Sequence, residues 1–161
     1  MKSTLWFAAS VEVVYAMLVA PDFQEFIGEA LHAVETSTVC GPGEITTTFV
    51  VPTQPPLGPV TGPTSRLRGH LKFDGPVVDG RATGQVELIV DRFPSAFQAA
   101  VLVARQTGLT QVTYDGEITV DVPLVGPKLE KQMAESTEQL LDAHQKLGER
   151  WLARHGYSLK P

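Results

Sequence analysis

The chain has one cysteine, Cys40. A single thiol cannot close an intramolecular disulfide, so the core must hold the fold, and a reducing, cytoplasmic setting is expected. Positive charge is also scarce. Thirteen Lys and Arg face 18 Asp and Glu, for a formal net charge of −5. Binding a phosphate backbone asks for a basic surface, so nucleic acid is not expected as a partner. No apolar run reaches the roughly 18 residues of a membrane-crossing helix, and stable membrane insertion is not expected. HExxH, CxxC, GxGxxG and phosphate-loop patterns are all missing, and His32, His70, His144 and His155 show no metal-ligand spacing. Neither a metal nor another cofactor is expected.

What is present suits a packed protein. The 161 residues are 43% hydrophobic and 19% charged, enough for one domain spanning 1–161 with a sizeable core. The opening "MKSTLWFAASVEVVYAMLVAP" has the lysine, apolar run and small-residue end of a secretory signal. Glu12, however, stands in the middle of that run, where such a signal carries no charge. The segment reads instead as a strand over 3–8 and a helix capped by Ser10, with Val13, Val14, Met17 and Leu18 on its inner side. Pro21 stops that helix. "DFQEFIGEAL" begins a second, with Asp22 as its cap and Phe23, Phe26, Ile27 and Leu31 inward.

β patterns follow. "TVCGPG" around Cys40 reads as a turn, and "EITTTFVV" alternates Ile45, Thr47, Phe49 and Val51 against Thr46, Thr48 and Val50. The proline-rich stretch over 52–63 reads as a long loop or lid, because it suits neither a helix nor a central strand. In "RLRGHLKF", Leu67, Gly69, Leu71 and Phe73 oppose Arg66, Arg68, His70 and Lys72, and the basic side is read as a solvated strand face rather than an anion site. "ATGQVELIVD" alternates in the same way. "FQAAVLVARQ" has enough alanine for a helix, but its neighbours favour a strand. "LTQVTYDGEITVDVP" has the cleanest alternation, with Val112, Tyr114, Ile118, Val120 and Val122 on one face. Gly116 interrupts that row where a long strand has to bend or be closely approached.

The tail sets the architecture. Pro123 ends the strand, and Gly126 with Pro127 is expected to set the turn into a helix, Gly126 being the candidate for a positive φ. Leu129, Met133, Thr137, Leu140, His144, Leu147 and Trp151 then recur at three- and four-residue spacing. A helix over about 127–155 is roughly 40 Å long at 1.5 Å per residue. A broad curved sheet can cover a stripe of that length.

This element order resembles the START-like, birch-pollen-allergen-like helix-grip superfamily. Within it, "GEITVDVPLVGPKLEKQM" and Trp151-Leu152 resemble an uncharacterised actinobacterial branch. The resemblance implies an α+β helix-grip fold, with a curved antiparallel sheet wrapped around a long C-terminal helix and two short helices after the first strand. It also implies an internal apolar cavity, without naming a ligand. No catalytic residue carries over. The expected lining is Tyr114, Ile118, Met133, Thr137, Leu140 and His144, around a space of roughly 300 Å³ or more.

Thr137 and His144 on an apolar stripe need hydrogen-bond partners, which a cavity with water or ligand would supply. The leading expectation is therefore a binding protein for a small hydrophobic or amphipathic molecule of lipid, polyketide or isoprenoid type. Two alternatives are a polyketide cyclase- or dehydratase-like enzyme using Tyr114 and His144 for proton transfer, and a protein-interaction module without a ligand.

Overall fold

The computed structural model describes residues 1–53, 63–92, 95–121, 124 and 126–157. In chain order these form β1 (Lys2–Phe7), α1 (Val11–Leu18), α2 (Pro21–Ala30), β2 (Glu35–Gly41), β3 (Glu44–Pro52), β4 (Thr64–Phe73), β5 (Arg81–Val90), β6 (Ser95–Gln106), β7 (Leu109–Val120) and α3 (Gly126–Arg154). The seven strands make one antiparallel sheet in the order β1-β7-β6-β5-β4-β3-β2, leaving β1 and β2 at its edges. The sheet curves around α3, with α1 and α2 packed beside the helix.

Strand alternation sends one set of side chains into the concave face. Ile118, Phe97, Leu88, Gly69 and Thr47 are register partners in sequence across β7, β6, β5, β4 and β3. The next row runs Gly116, Ala99, Val86, Leu71 and Ile45 along the same strands. Glycine recurs where neighbouring backbone comes closest. A Cβ on Gly116 would land on the Gln98 carbonyl and Ala99, and one on Gly84 would land on the Lys72 carbonyl and the Phe73 Cα. Close approach of this kind lets long antiparallel strands bend into a trough.

Local chemistry explains the helices. Ser10 caps α1 by accepting from the Val13 N–H at 3.2 Å. In α2 the cap residue is Ala20, with Pro21 at the first turn and no side-chain cap bond. Asp22 is not the cap the sequence suggested. Its carboxylate instead accepts from Trp151 Nε1 at 2.8 Å and bonds His155 Nε2 at 2.7 Å, joining α2 to the end of α3. Trp151 stacks on His155 with ring centroids 4.0 Å apart.

The helix stripe is rotated from the expected one. Leu141, Gly148, Trp151 and Leu152 are fully buried, whereas Leu129, Met133, Leu140 and Leu147 are half-buried. A Cβ on Gly148 would strike the Phe7 ring, so the missing side chain is what seats α3 against β1. Gln145 accepts from the Trp6 N–H at 2.8 Å and donates to the Trp6 carbonyl at 2.5 Å. It thereby satisfies backbone groups on a sheet edge that would otherwise be open to another strand.

Two further differences concern turns. Cys40 belongs to a strand, the exposed edge β2, and the turn is confined to the two residues after Gly41, with Gly43 at φ 63°. Before α3, the left-handed backbone is at Leu124 (φ 70°), while Gly126 is the first helical residue and has no positive φ. Most of the proline-rich stretch (54–62), along with Val122, Pro123 and Val125, lies outside the described residues.

Candidate functional site

A cavity of about 100 Å³ lies between the concave face, α2 and the middle of α3. Its floor includes Ile45, Thr47, Phe49, Gly69, Leu88, Phe97 and Tyr114 from five strands. Phe23, Gln24 and Ile27 line it from α2, and Thr137, Leu140, Leu141 and His144 from α3. Gly69 is one reason for the space. A Cβ there would meet Leu88 Cδ1 at 3.5 Å, an ordinary contact, so its absence leaves room without being required by the backbone.

Four residues expected around this space meet there: Tyr114, Thr137, Leu140 and His144. Ile118 and Met133 do not. Ile118 is half-buried at the β7 end of the row that passes through Phe97, and opens on a separate groove with Pro127, Glu130 and Lys131. Met133 is a turn of helix before Thr137 and supplies its carbonyl, not its side chain, to this region: the Thr137 hydroxyl donates to Met133 O at 2.8 Å. Thr137 is therefore satisfied by its own helix, as threonines within helices often are. The space is also smaller than the 300 Å³ expected.

His144 is different. Its Nδ1 is shut off from solvent and has no hydrogen-bond partner among the described residues. The ring lies 5.8 Å from that of Phe23, between centroids. Burial in these apolar surroundings disfavours the imidazolium and pushes the His144 pKa down to about 4. The same desolvation pushes the Tyr114 hydroxyl far above its ordinary range. Both groups are consequently neutral near pH 7. Sequence reasoning missed Gln24, Thr47 and Phe97 as wall residues. The alternation of β3 and the stripe of α2 marked Thr47 and Phe23 as inward, but not that α2 would border the space.

The basic strand face lies on the other side of the sheet. Arg68 pairs with Asp91 at 3.1 Å, and His70 bonds Glu44 at 2.6 Å. The hydrogen bond from His70 holds the Glu44 carboxyl below its usual range. Among the described residues no group of His, Cys, Asp and Glu could hold a metal ion. No described helix is long and apolar enough to cross a membrane.

A curved antiparallel sheet gripping a long C-terminal helix, with two short helices after the first strand, defines a START-like helix-grip fold. The sequence matches the family described as "Protein of unknown function (DUF2505)" over residues 2–152, and the chain belongs to it. Similar solved structures include TTHA0849 from Thermus thermophilus, with TM-score 0.64 and 16% identity over 96% of this chain and 97% of that one. A START superfamily protein from Mycobacterium smegmatis has TM-score 0.55 and 16% identity over 91% of this chain and 94% of that one. The birch-pollen-allergen-like Ara h 8.0201 has TM-score 0.53 and 13% identity over 91% of this chain and 94% of that one. At these identities the likeness is one of fold. No curated protein matches the chain in sequence.

Proposed function

We propose that this chain is a non-enzymatic binding protein, which holds a small apolar or amphipathic molecule in the cavity between sheet and C-terminal helix. The observation that carries this reading is a space walled by Phe, Leu, Ile and Val, with Tyr114 and the unpartnered His144 on its lining. Apolar chambers with a few convergent polar groups are the usual small-molecule sites. An apolar void of about 150 Å³ takes up a benzene-sized molecule. At about 100 Å³ this cavity is smaller than that, so the end of an aliphatic chain fits as it stands and a small ring enters only as the wall yields slightly. A lipid, polyketide or isoprenoid would insert one end and leave the rest outside.

Proton transfer is the weaker reading. An acid–base catalyst works best with a pKa near the working pH. Burial moves His144 down and Tyr114 up, both away from neutrality.

Fluorobenzene followed by fluorine NMR is a direct test. The parent should show saturable binding. Leu140→Trp, which puts an indole into the cavity wall, should weaken it at least tenfold, a factor equal to about 1.4 kcal/mol. Met133→Trp, away from the lining, should bind like the parent. Undiminished binding in Leu140→Trp would remove the cavity from the explanation.

A further inference from the structure

The cavity wall specifies more than apolar character. Leu, Ile, Val and Phe make up most of the lining, and no Lys, Arg, Asp or Glu occurs in it among the described residues. His70 borders it from β4, but its imidazole is engaged with Glu44, and Lys72 is exposed on the same strand face. A carboxylate or phosphate entering the space would thus leave its hydration behind without meeting a cation. Unpaired charges are not buried on such terms.

The wall nevertheless contains an unfilled hydrogen-bonding group. Of the two polar α3 side chains on it, Thr137 is already bonded to Met133 O. His144 has no hydrogen-bond partner among the described residues, and its Nδ1 is also cut off from water. A neutral imidazole offers one donor and one acceptor. Leaving a buried polar group unpaired costs stability that a correctly placed partner recovers. Tyr114 adds a second neutral polar group to the lining.

On the binding role proposed above, we infer that the ligand is an uncharged molecule with a small apolar body and one hydroxyl or carbonyl group, an alcohol, phenol or ketone, whose polar group pairs with the His144 ring. A fatty-acid anion fits this wall less well, because only its methyl end would enter, leaving the carboxylate in water and the His144 ring without a partner. The depressed basicity of His144 agrees, since the ring remains neutral and offers no charge to an anion at pH 7.

The test compares 4-fluorophenol, fluorobenzene and 4-fluorobenzoate by fluorine NMR at pH 7 on the full chain. 4-Fluorophenol should bind about tenfold more tightly than fluorobenzene, the gain expected from giving a buried polar group its missing partner. 4-Fluorobenzoate should bind at least about tenfold more weakly than 4-fluorophenol, because its charge is stripped of water without compensation. In His144→Phe the ratio of phenol affinity to fluorobenzene affinity should fall to about one. A readout on the unmodified protein guards against a folding defect in that variant: the nitrogen-15 shifts of the His144 ring should move with 4-fluorophenol and stay in place with fluorobenzene.

Equal binding of phenol and fluorobenzene, a benzoate that binds as well as the phenol, or unmoved His144 nitrogens would each overturn the inference and leave the apolar-binding role intact. Failure of all three compounds to bind would overturn that role as well.

Discussion

Gly116→Val should lower the stability of the protein by at least about 3 kcal/mol, the upper part of the range for forcing atoms into filled space. What the new atoms would meet sets the size of the effect. A Cβ at this position falls on the carbonyl oxygen of Gln98 and on Ala99, both in the neighbouring β6. These are mostly backbone atoms held in the sheet ladder, so no side-chain rotation can clear the way. Valine's preference for strands works in the other direction but spans only about 1 kcal/mol. The clash therefore wins. Gly69→Ala is the matching control, because its Cβ meets Leu88 at 3.5 Å at the edge of open space. Urea midpoints for both variants decide the matter. A Gly116→Val midpoint equal to the parent's would mean the β6–β7 approach is not what bends the sheet.

The second large effect is a dependence on pH. His144 has a folded pKa of about 4, against about 6.5 for an unhindered histidine. The unfolded chain thus binds a proton at this site at higher pH than the folded one. Stability from this group is complete above pH 6.5 and is lost as pH falls towards 4. Across that window the loss approaches about 3 kcal/mol, at about 1.4 kcal/mol per pH unit of separation.

Asp22 acts in a separate window. Burial raises its pKa, but hydrogen bonds from Trp151 and His155 more than offset this and leave it below 3.8. Its contribution is therefore lost only as pH falls below the ordinary carboxylate range. Urea unfolding of the parent and His144→Phe at pH 7, 6, 5 and 4.5 separates the two. The parent should weaken steadily across the series, and the variant should lack most of that slope. Parallel slopes would show that His144 is not buried as a neutral ring.

The elements with strong periodicity were legible in the sequence. Alternation in β3, β4 and β7 identified their inner faces, and the capping serine and Pro21 separated the first helices. Three features were harder to read for physical reasons. β2 is a polar edge strand whose residues are mostly exposed, so it has little apolar alternation to detect. Gly148 reads as a weak point in a helix, yet a helix can use a missing side chain to come close to an aromatic ring. That contact with Phe7 turns the helix so that Leu141 and Leu152 are buried more deeply than Leu140 and Leu147. Asp22 has the position of a cap, but its partners are more than 120 residues away. The cavity shows the same division. Spacing placed Tyr114, Leu140, Thr137 and His144 inward and the family resemblance implied the cavity, whereas the wall from α2 depended on how helices pack together.

Anchoring along α3 is uneven. Its last third is clamped by the Gly148–Phe7 contact, the Gln145 clasp on Trp6 and the bonds from Trp151 and His155 to Asp22. Between Gly126 and Leu141 no described helix residue is fully buried, and Glu130 contributes one tie, accepting from the Val120 N–H at 3.2 Å. The helix is therefore a beam held firmly at its C-terminal end and lightly at its start, with Thr137 and Leu140 on the compliant span above the cavity. Amides of residues 130–140 should exchange with deuterium well before those of residues 144–152, as local openings draw on the least buried segments first. Such an opening uncovers the cavity while the sheet and the clamped end remain intact, so on the binding role proposed above the ligand would exchange on the timescale of a local helix fluctuation rather than of global unfolding.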